Sequence, residues 1–96
     1  MINHLGIIGL GSIGRRHLRL VKELYPELNI IAIRSGKGEK VEEEKLLNMV
    51  VHSLEEAIGY GIEAAIIATP SIYHIQQAID LMERGIHVLI EKPLSH

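Results

Sequence analysis

The chain has 96 residues, 47% of them hydrophobic, 23% charged and 3% aromatic, with a formal net charge of −2 at pH 7. That length suits one globular domain, and with no Phe or Trp its core must be aliphatic. The near-neutral charge without a basic stripe argues against nucleic acid or an anionic membrane as partner, and the lack of cysteine excludes disulfides, thiolate catalysis and Cys-ligated zinc.

The opening run MINHLGIIGLGSIG has neither a cationic leader nor a small-residue cleavage site, and no apolar run approaches membrane-spanning length. The cytoplasm is the expected location. Residues 4–10 (HLGIIGL) form a short apolar run ending in glycines, which suits a buried parallel strand. Residues 13–24 follow as a helix, with Ile13, Leu20, Val21 and Leu24 able to share one face and Pro26 stopping it. NIIAI (29–33) reads as a second buried strand. The stretch 36–48 is a charged helix or a solvated loop, and its Glu/Lys cluster reads as a wet face. MVVH (49–52) is a third strand. Ser53 and Glu56 then make a capping box, in which Ser accepts from the N3 amide and Glu reaches back to the cap amide, opening a short helix through Ile58. EAAIIAT (63–69) is a fourth strand. Ser71 can cap the next helix, where Ile72, Ile75, Ile79 and Met82 recur at helical spacing until Gly85 ends it. HVLIE (87–91) is the fifth strand. Short apolar strands alternating with helices predict a single α/β domain over 1–96: a doubly wound, parallel, Rossmann-like sheet in the order 3-2-1-4-5.

GLGSIG (9–14) matches the spacing G-x-G-x-x-G, directly after the first strand and opening the first helix. That context turns a generic glycine pattern into a dinucleotide-binding fingerprint. Gly9 allows the tight turn, Gly11 lets the backbone approach a pyrophosphate, and Gly14 lets the helix pack closely on the strand. The helix N-terminus offers unpaired N–H groups and a positive dipole end to the phosphates. Gly9, Gly11, Ser12, Ile13 and Gly14 are therefore candidate cofactor contacts. Arg15 could reach a phosphate or simply be solvated, and His17 reads as a surface or packing residue.

In NAD-binding Rossmann folds an Asp or Glu about 20 residues beyond the glycines bonds the ribose hydroxyl. Here that count from Gly14 lands on Arg34, and no carboxylate lies between Asn29 and Gly38. Arg34 can stack on adenine and pair with a 2′-phosphate, while Ser35 and Lys37 could add a hydroxyl donor and a second charge. The expectation is NADP in preference to NAD; the alternative is that Arg34 only stacks and either cofactor binds.

GLGSIGRRHL, ATPSIYH and GIHVLIEKPLS occur in the order and spacing of the glucose–fructose oxidoreductase/inositol dehydrogenase (Gfo/Idh/MocA) family, which the chain resembles over nearly its whole length, least over 35–50. The resemblance implies an NAD(P)-dependent oxidoreductase acting on a sugar, inositol or sugar nucleotide. It also implies a second, larger α/β domain that reads the substrate and supplies further acid–base residues. By the same resemblance Thr69, Pro70 and His74 correspond to the loop beside the nicotinamide ribose. Glu91, Lys92 and Pro93 correspond to the family's EKP motif, whose lysine faces nicotinamide and substrate. An ordinary lysine, with pKa near 10.4, is a poor proton shuttle at neutral pH, but burial and a cationic nicotinamide ring would both disfavour its charge. Lys92 is the candidate catalytic residue.

On this reading the chain is the cofactor half of an oxidoreductase, cut after its fifth strand. Alone it is expected to be inactive, and to self-associate through the apolar fifth strand left at a sheet edge. Two other classes stay open: a stand-alone module that binds NAD(P)(H) without chemistry, and an oligomerising structural domain. Neither His52 nor His87 has a second ligand at useful spacing, so no metal site is predicted.

Overall fold

The computed structural model describes residues 2–34, 42–68 and 74–90. Five strands, β1 (His4–Ile8), β2 (Asn29–Ile33), β3 (Met49–Val51), β4 (Ala64–Ile67) and β5 (His87–Ile90), form one sheet in the order β3-β2-β1-β4-β5. Every pairing is parallel, with Ile8 opposite both Ile33 and Ile67. This is the order predicted from the alternating pattern. Three α-helices, α1 (Ser12–Leu24), α2 (Leu54–Gly59) and α3 (His74–Glu83), and a 3-10 helix at Glu42–Leu46 complete the described elements.

The central strands are apolar on both faces because both faces are covered. Along β2, Ile30 and Ala32 point to the α1 side, where they meet Ile7, Leu10, Leu18 and Ile66. Ile31 and Ile33 point to the opposite side and join Ala57, Ala78, Leu81 and Ile86 from the α2 and α3 side. The aliphatic core is thus two layers divided by the sheet, and Ile7, Leu18, Ile30, Ile67 and Leu81 are its largest fully buried side chains.

The helices turn a different face inward from the one their apolar spacing suggested. In α1, Leu18 is fully buried and Val21 packs on the core, whereas Leu20 and Leu24 are exposed. Gly14, Leu18 and Val21 lie at i, i+4 and i+7, and the close packing of Gly14 sets the rotation of the whole helix. In α3 the buried residues are Ala78 and Leu81, while Ile79 and Met82 are exposed. The end of α3 explains its rotation. Gly85, at φ +77°, donates to Met82 and Ile86 donates to Leu81, each at 3.0 Å, which folds Ile86 back against Leu81 in the core. The expected cap at Ser71 and the contact of Ile72 lie outside the described residues.

Ser53 caps α2 as predicted, its Oγ accepting from the Glu56 amide at 3.1 Å. The reciprocal bond differs: Glu56 Oε1 accepts from the Ser53 hydroxyl at 3.3 Å and from the His52 amide at 3.4 Å, one residue earlier than a capping box requires. The charged stretch is also not simply a wet face. Asn48 donates its amide to the Ile30 carbonyl and accepts from the Ile30 amide with its side chain, both at 2.9 Å, which ties the segment after the 3-10 helix to β2. Leu46 and Leu47 pack on the α1-side core.

Candidate functional site

The carboxyl ends of four strands are laced together by backbone bonds. The Gly9 amide donates to Ile33 at 3.1 Å, the Arg34 amide to Val51 at 2.9 Å, and the Ala68 amide to Ile8 at 2.9 Å. The glycine loop, the end of β2 and the end of β4 therefore share one rim. The sheet order reverses between β1 and β4, and ligands of open α/β sheets bind at the crevice above such a reversal.

Each glycine of the loop does a different job. Gly9 sits at φ +92°, a left-handed conformation that glycine adopts without strain. At Gly14 a Cβ would lie 2.1 Å from the Gly9 carbonyl oxygen, so any side chain there would push α1 off the loop. At Gly11 a Cβ would meet nothing within 4 Å among the described residues, so their packing does not demand a glycine there. Gly11 is the N-cap of α1, with extended backbone and no side chain to satisfy the first-turn amides, and no acidic residue follows in that turn. Ser12 and Ile13 occupy the first turn. The Gly11 carbonyl accepts from the Arg15 amide at 2.9 Å and from Arg15 Nε at 3.4 Å, which holds that side chain back along its own helix. A positive helix end with no side-chain cap and no acidic residue in its own first turn fits a pyrophosphate.

Arg34 follows the last residue of β2, on the same rim. Its Nη1 lies 2.6 Å from Glu44 Oε2, and the two side chains are only 15% and 18% exposed. Its carbonyl oxygen lies 3.3 Å from His52 Nδ1. The strand supplies no carboxylate, as its sequence states, yet one arrives in space from ten residues further along the chain. Glu44 is the residue that sequence reasoning missed. The available signal was an arginine ending a buried strand with a Glu-rich segment soon after it.

His74 opens α3, and Ser35, Thr69, Pro70, Glu91 and Lys92 lie outside the described residues. Among the described residues, no group of three or more His, Asp or Glu could hold a metal, and no helix is long and apolar enough to cross a membrane.

The family model described as "Oxidoreductase family, NAD-binding Rossmann fold" matches residues 3–96. The chain belongs to the Gfo/Idh/MocA family. It is that family's domain for a nicotinamide dinucleotide, and the resemblance read from its motifs holds. Its relatives include a 4-carboxy-2-hydroxymuconate-6-semialdehyde dehydrogenase of Sphingobium, 34% identical over 95% of this chain and 30% of that protein. Another is the Bacillus subtilis scyllo-inositol 2-dehydrogenase (NADP(+)) IolW, 32% identical over 95% of this chain and 26% of the relative. The crystal structure of a myo-inositol dehydrogenase from Corynebacterium glutamicum has the same fold, with a TM-score of 0.78 at 23% identity over 97% of this chain and 28% of that one. This Gfo/Idh/MocA chain thus spans about 30% or less of the length of these relatives.

Proposed function

We propose that this chain binds NADP(H) in preference to NAD(H) for an oxidoreductase that acts on a polyol, sugar or sugar nucleotide. The observation that carries the reading is the glycine loop, where Gly14 is required by packing against the Gly9 carbonyl but Gly11 has no neighbour that demands a glycine among the described residues. A packing turn alone would need the first property and not the second. The cofactor, when bound, accepts or delivers hydride at its nicotinamide ring. The chain's own part is to hold the pyrophosphate on the amides of the loop and of the first turn of α1, including those of Gly11, Ser12 and Ile13. Thr69, Pro70 and His74 would line the ribose next to the nicotinamide, Glu91 would support that end of the site, and Lys92 would hold the substrate oxygen and carry its proton.

The NADP preference rests on Arg34, a guanidinium at the position where NAD-binding folds carry an acid. The NADP(+) and the NAD(+) named for two Bacillus subtilis scyllo-inositol 2-dehydrogenases support a nicotinamide dinucleotide without choosing between the two, and the inositol in their names supports the substrate class. Cytoplasmic residence and self-association through β5 belong to the same reading. The latter is supported by an edge strand whose Leu89 and Ile90 are exposed.

Titrating NADPH and NADH by calorimetry into the wild type and Arg34→Asp tests the proposal. The wild type is expected to bind NADPH at least about tenfold more tightly, roughly 1.4 kcal/mol, with the preference lost or reversed in the variant. Equal affinities in the wild type, or an unchanged ratio in Arg34→Asp, would refute the preference. Absence of binding by either cofactor would refute the dinucleotide site itself.

A further inference from the structure

The pair of Arg34 with Glu44 bears on cofactor choice beyond the presence of the arginine. We infer that Glu44 is a specificity-determining residue: by holding the guanidinium of Arg34 it restores, at the end of β2, the negative charge that the strand itself lacks, and so limits the discrimination in favour of a 2′-phosphate. The inference rests on the reading of this rim as a dinucleotide site.

The pair is built into the fold. The Glu44 carbonyl accepts from the Leu47 amide at 3.1 Å, Leu46 and Leu47 pack on the α1-side core, and Asn48 clamps the chain to Ile30 with two bonds. Arg34 is held at the other end by its amide bond to Val51. Arg34 is thus anchored to β3 and the segment after the 3-10 helix of Glu44 to β2, and the 2.6 Å contact joins two side chains with little exposure. Such a charge-assisted bond is short and geometrically specific, unlike a mobile surface pair.

The consequence follows from charge. A 2′-phosphate that bonds the Arg34 guanidinium would share it with a carboxylate and sit within about 6 Å of that carboxylate's charge, where like charges repel. A 2′-hydroxyl brings no charge and can donate to Glu44 as it would to the strand-end acid of an NAD-binding fold. Glu44 therefore weakens the phosphate-bearing ligand and leaves the other unharmed. Removing its charge while keeping its size should widen the gap.

The test compares 2′,5′-ADP, which carries the 2′-phosphate, with 5′-AMP, which does not, by calorimetry on the wild type, Glu44→Gln and Glu44→Asp. Melting curves establish that each variant is folded. Glu44→Gln is expected to bind 2′,5′-ADP about tenfold more tightly with 5′-AMP affinity within about twofold of wild type, and the gain should shrink in 0.5 M salt. Glu44→Asp keeps the charge and should stay near the wild type. Weaker 2′,5′-ADP binding by Glu44→Gln would mean that Glu44 only positions Arg34, and would overturn the inference. So would an unchanged ratio of the two ligands, with the dinucleotide site left standing. Failure of the wild type to bind either ligand would overturn the site and the inference together.

Discussion

Gly14→Ala is the sharpest test of how the glycine loop is built. The added methyl would lie 2.1 Å from the Gly9 carbonyl oxygen and 3.6 Å from the Ala68 Cβ. Contacts of real Cβ atoms do not fall below 3.0 Å, so helix and loop would have to part by about 0.9 Å. Neither side gives easily. Gly9 is held at φ +92° with its amide bonded to Ile33, and four residues after Gly14 comes Leu18, fully buried in the core. Overpacking of this kind costs about 1–3 kcal/mol, and a backbone obstacle belongs at the upper end. The better helix propensity of alanine returns at most about 1 kcal/mol. The net loss is about 2 kcal/mol, a fall in Tm of roughly 8–16 °C for a domain of this size. Gly11→Ala is the internal control. Its Cβ meets nothing within 4 Å among the described residues, and its φ of −72° is open to any residue. The poorer cap and the less flexible unfolded chain offset each other, so its melting should stay within about 0.5 kcal/mol of wild type. Its dinucleotide affinity should fall, because the methyl enters the space beside the loop. Thermal and urea unfolding followed by circular dichroism, with NADPH titrations on both variants, read the two effects separately. Equal melting of Gly14→Ala and wild type would refute the close-packing argument, and a Gly11→Ala that melts like Gly14→Ala would refute the division of labour between the two glycines.

Three further outcomes are expected. Glu63 Oε1 accepts from the Asn3 amide at 2.9 Å and the His4 amide at 3.2 Å, and the Asn3 bond, with help from His4 and against an opposing desolvation, holds its carboxyl below the ordinary glutamate value. The stabilisation is therefore present above the unfolded-state pKa and lost as pH falls through the folded one, so acid titrations of Tm should be shallower for Glu63→Gln; identical slopes would refute it. Sedimentation at high concentration should show self-association of the wild type that Leu89→Lys reduces, since Leu89 is 53% exposed on edge strand β5; a wild type that stays monomeric would remove the β5 proposal. Residues 1–96 alone should oxidise no polyol or sugar measurably, because hydride transfer needs substrate held about 3–3.5 Å from the nicotinamide; robust turnover would overturn the two-domain reading.

What could be read from the sequence, and what could not, follows from the range over which each signal acts. The strand order was legible because apolar runs alternating with helices permit few other packings, and NIIAI occupies the positions expected of it as β2. The glycine loop was legible because its glycines answer to neighbours within a few residues. Helix rotation was not, since spacing alone allows several apolar stripes. The spacing pointed to Leu20 and Leu24, whereas the close approach of Gly14 to Gly9 turns Leu18 inward instead. The hardest case was the charge at the end of β2. Counting along the chain finds Arg34 and no carboxylate between Asn29 and Gly38, which treats the ribose site as a property of one strand. The field that a ligand meets is instead a sum over everything within a few ångströms, whichever segment supplies it. Here the supplier is a 3-10 helix whose distance from Arg34 depends on Asn48 gripping Ile30 and on two leucines finding the core. Replacing Asn48 with Ala should therefore loosen the Arg34–Glu44 pair without touching either charge. If that pair limits phosphate binding, Asn48→Ala should shift the ratio of 2′,5′-ADP to 5′-AMP affinity in the same direction as Glu44→Gln, by a smaller factor; a shift in the opposite direction would show that the clamp holds Arg34 ready for the phosphate rather than away from it.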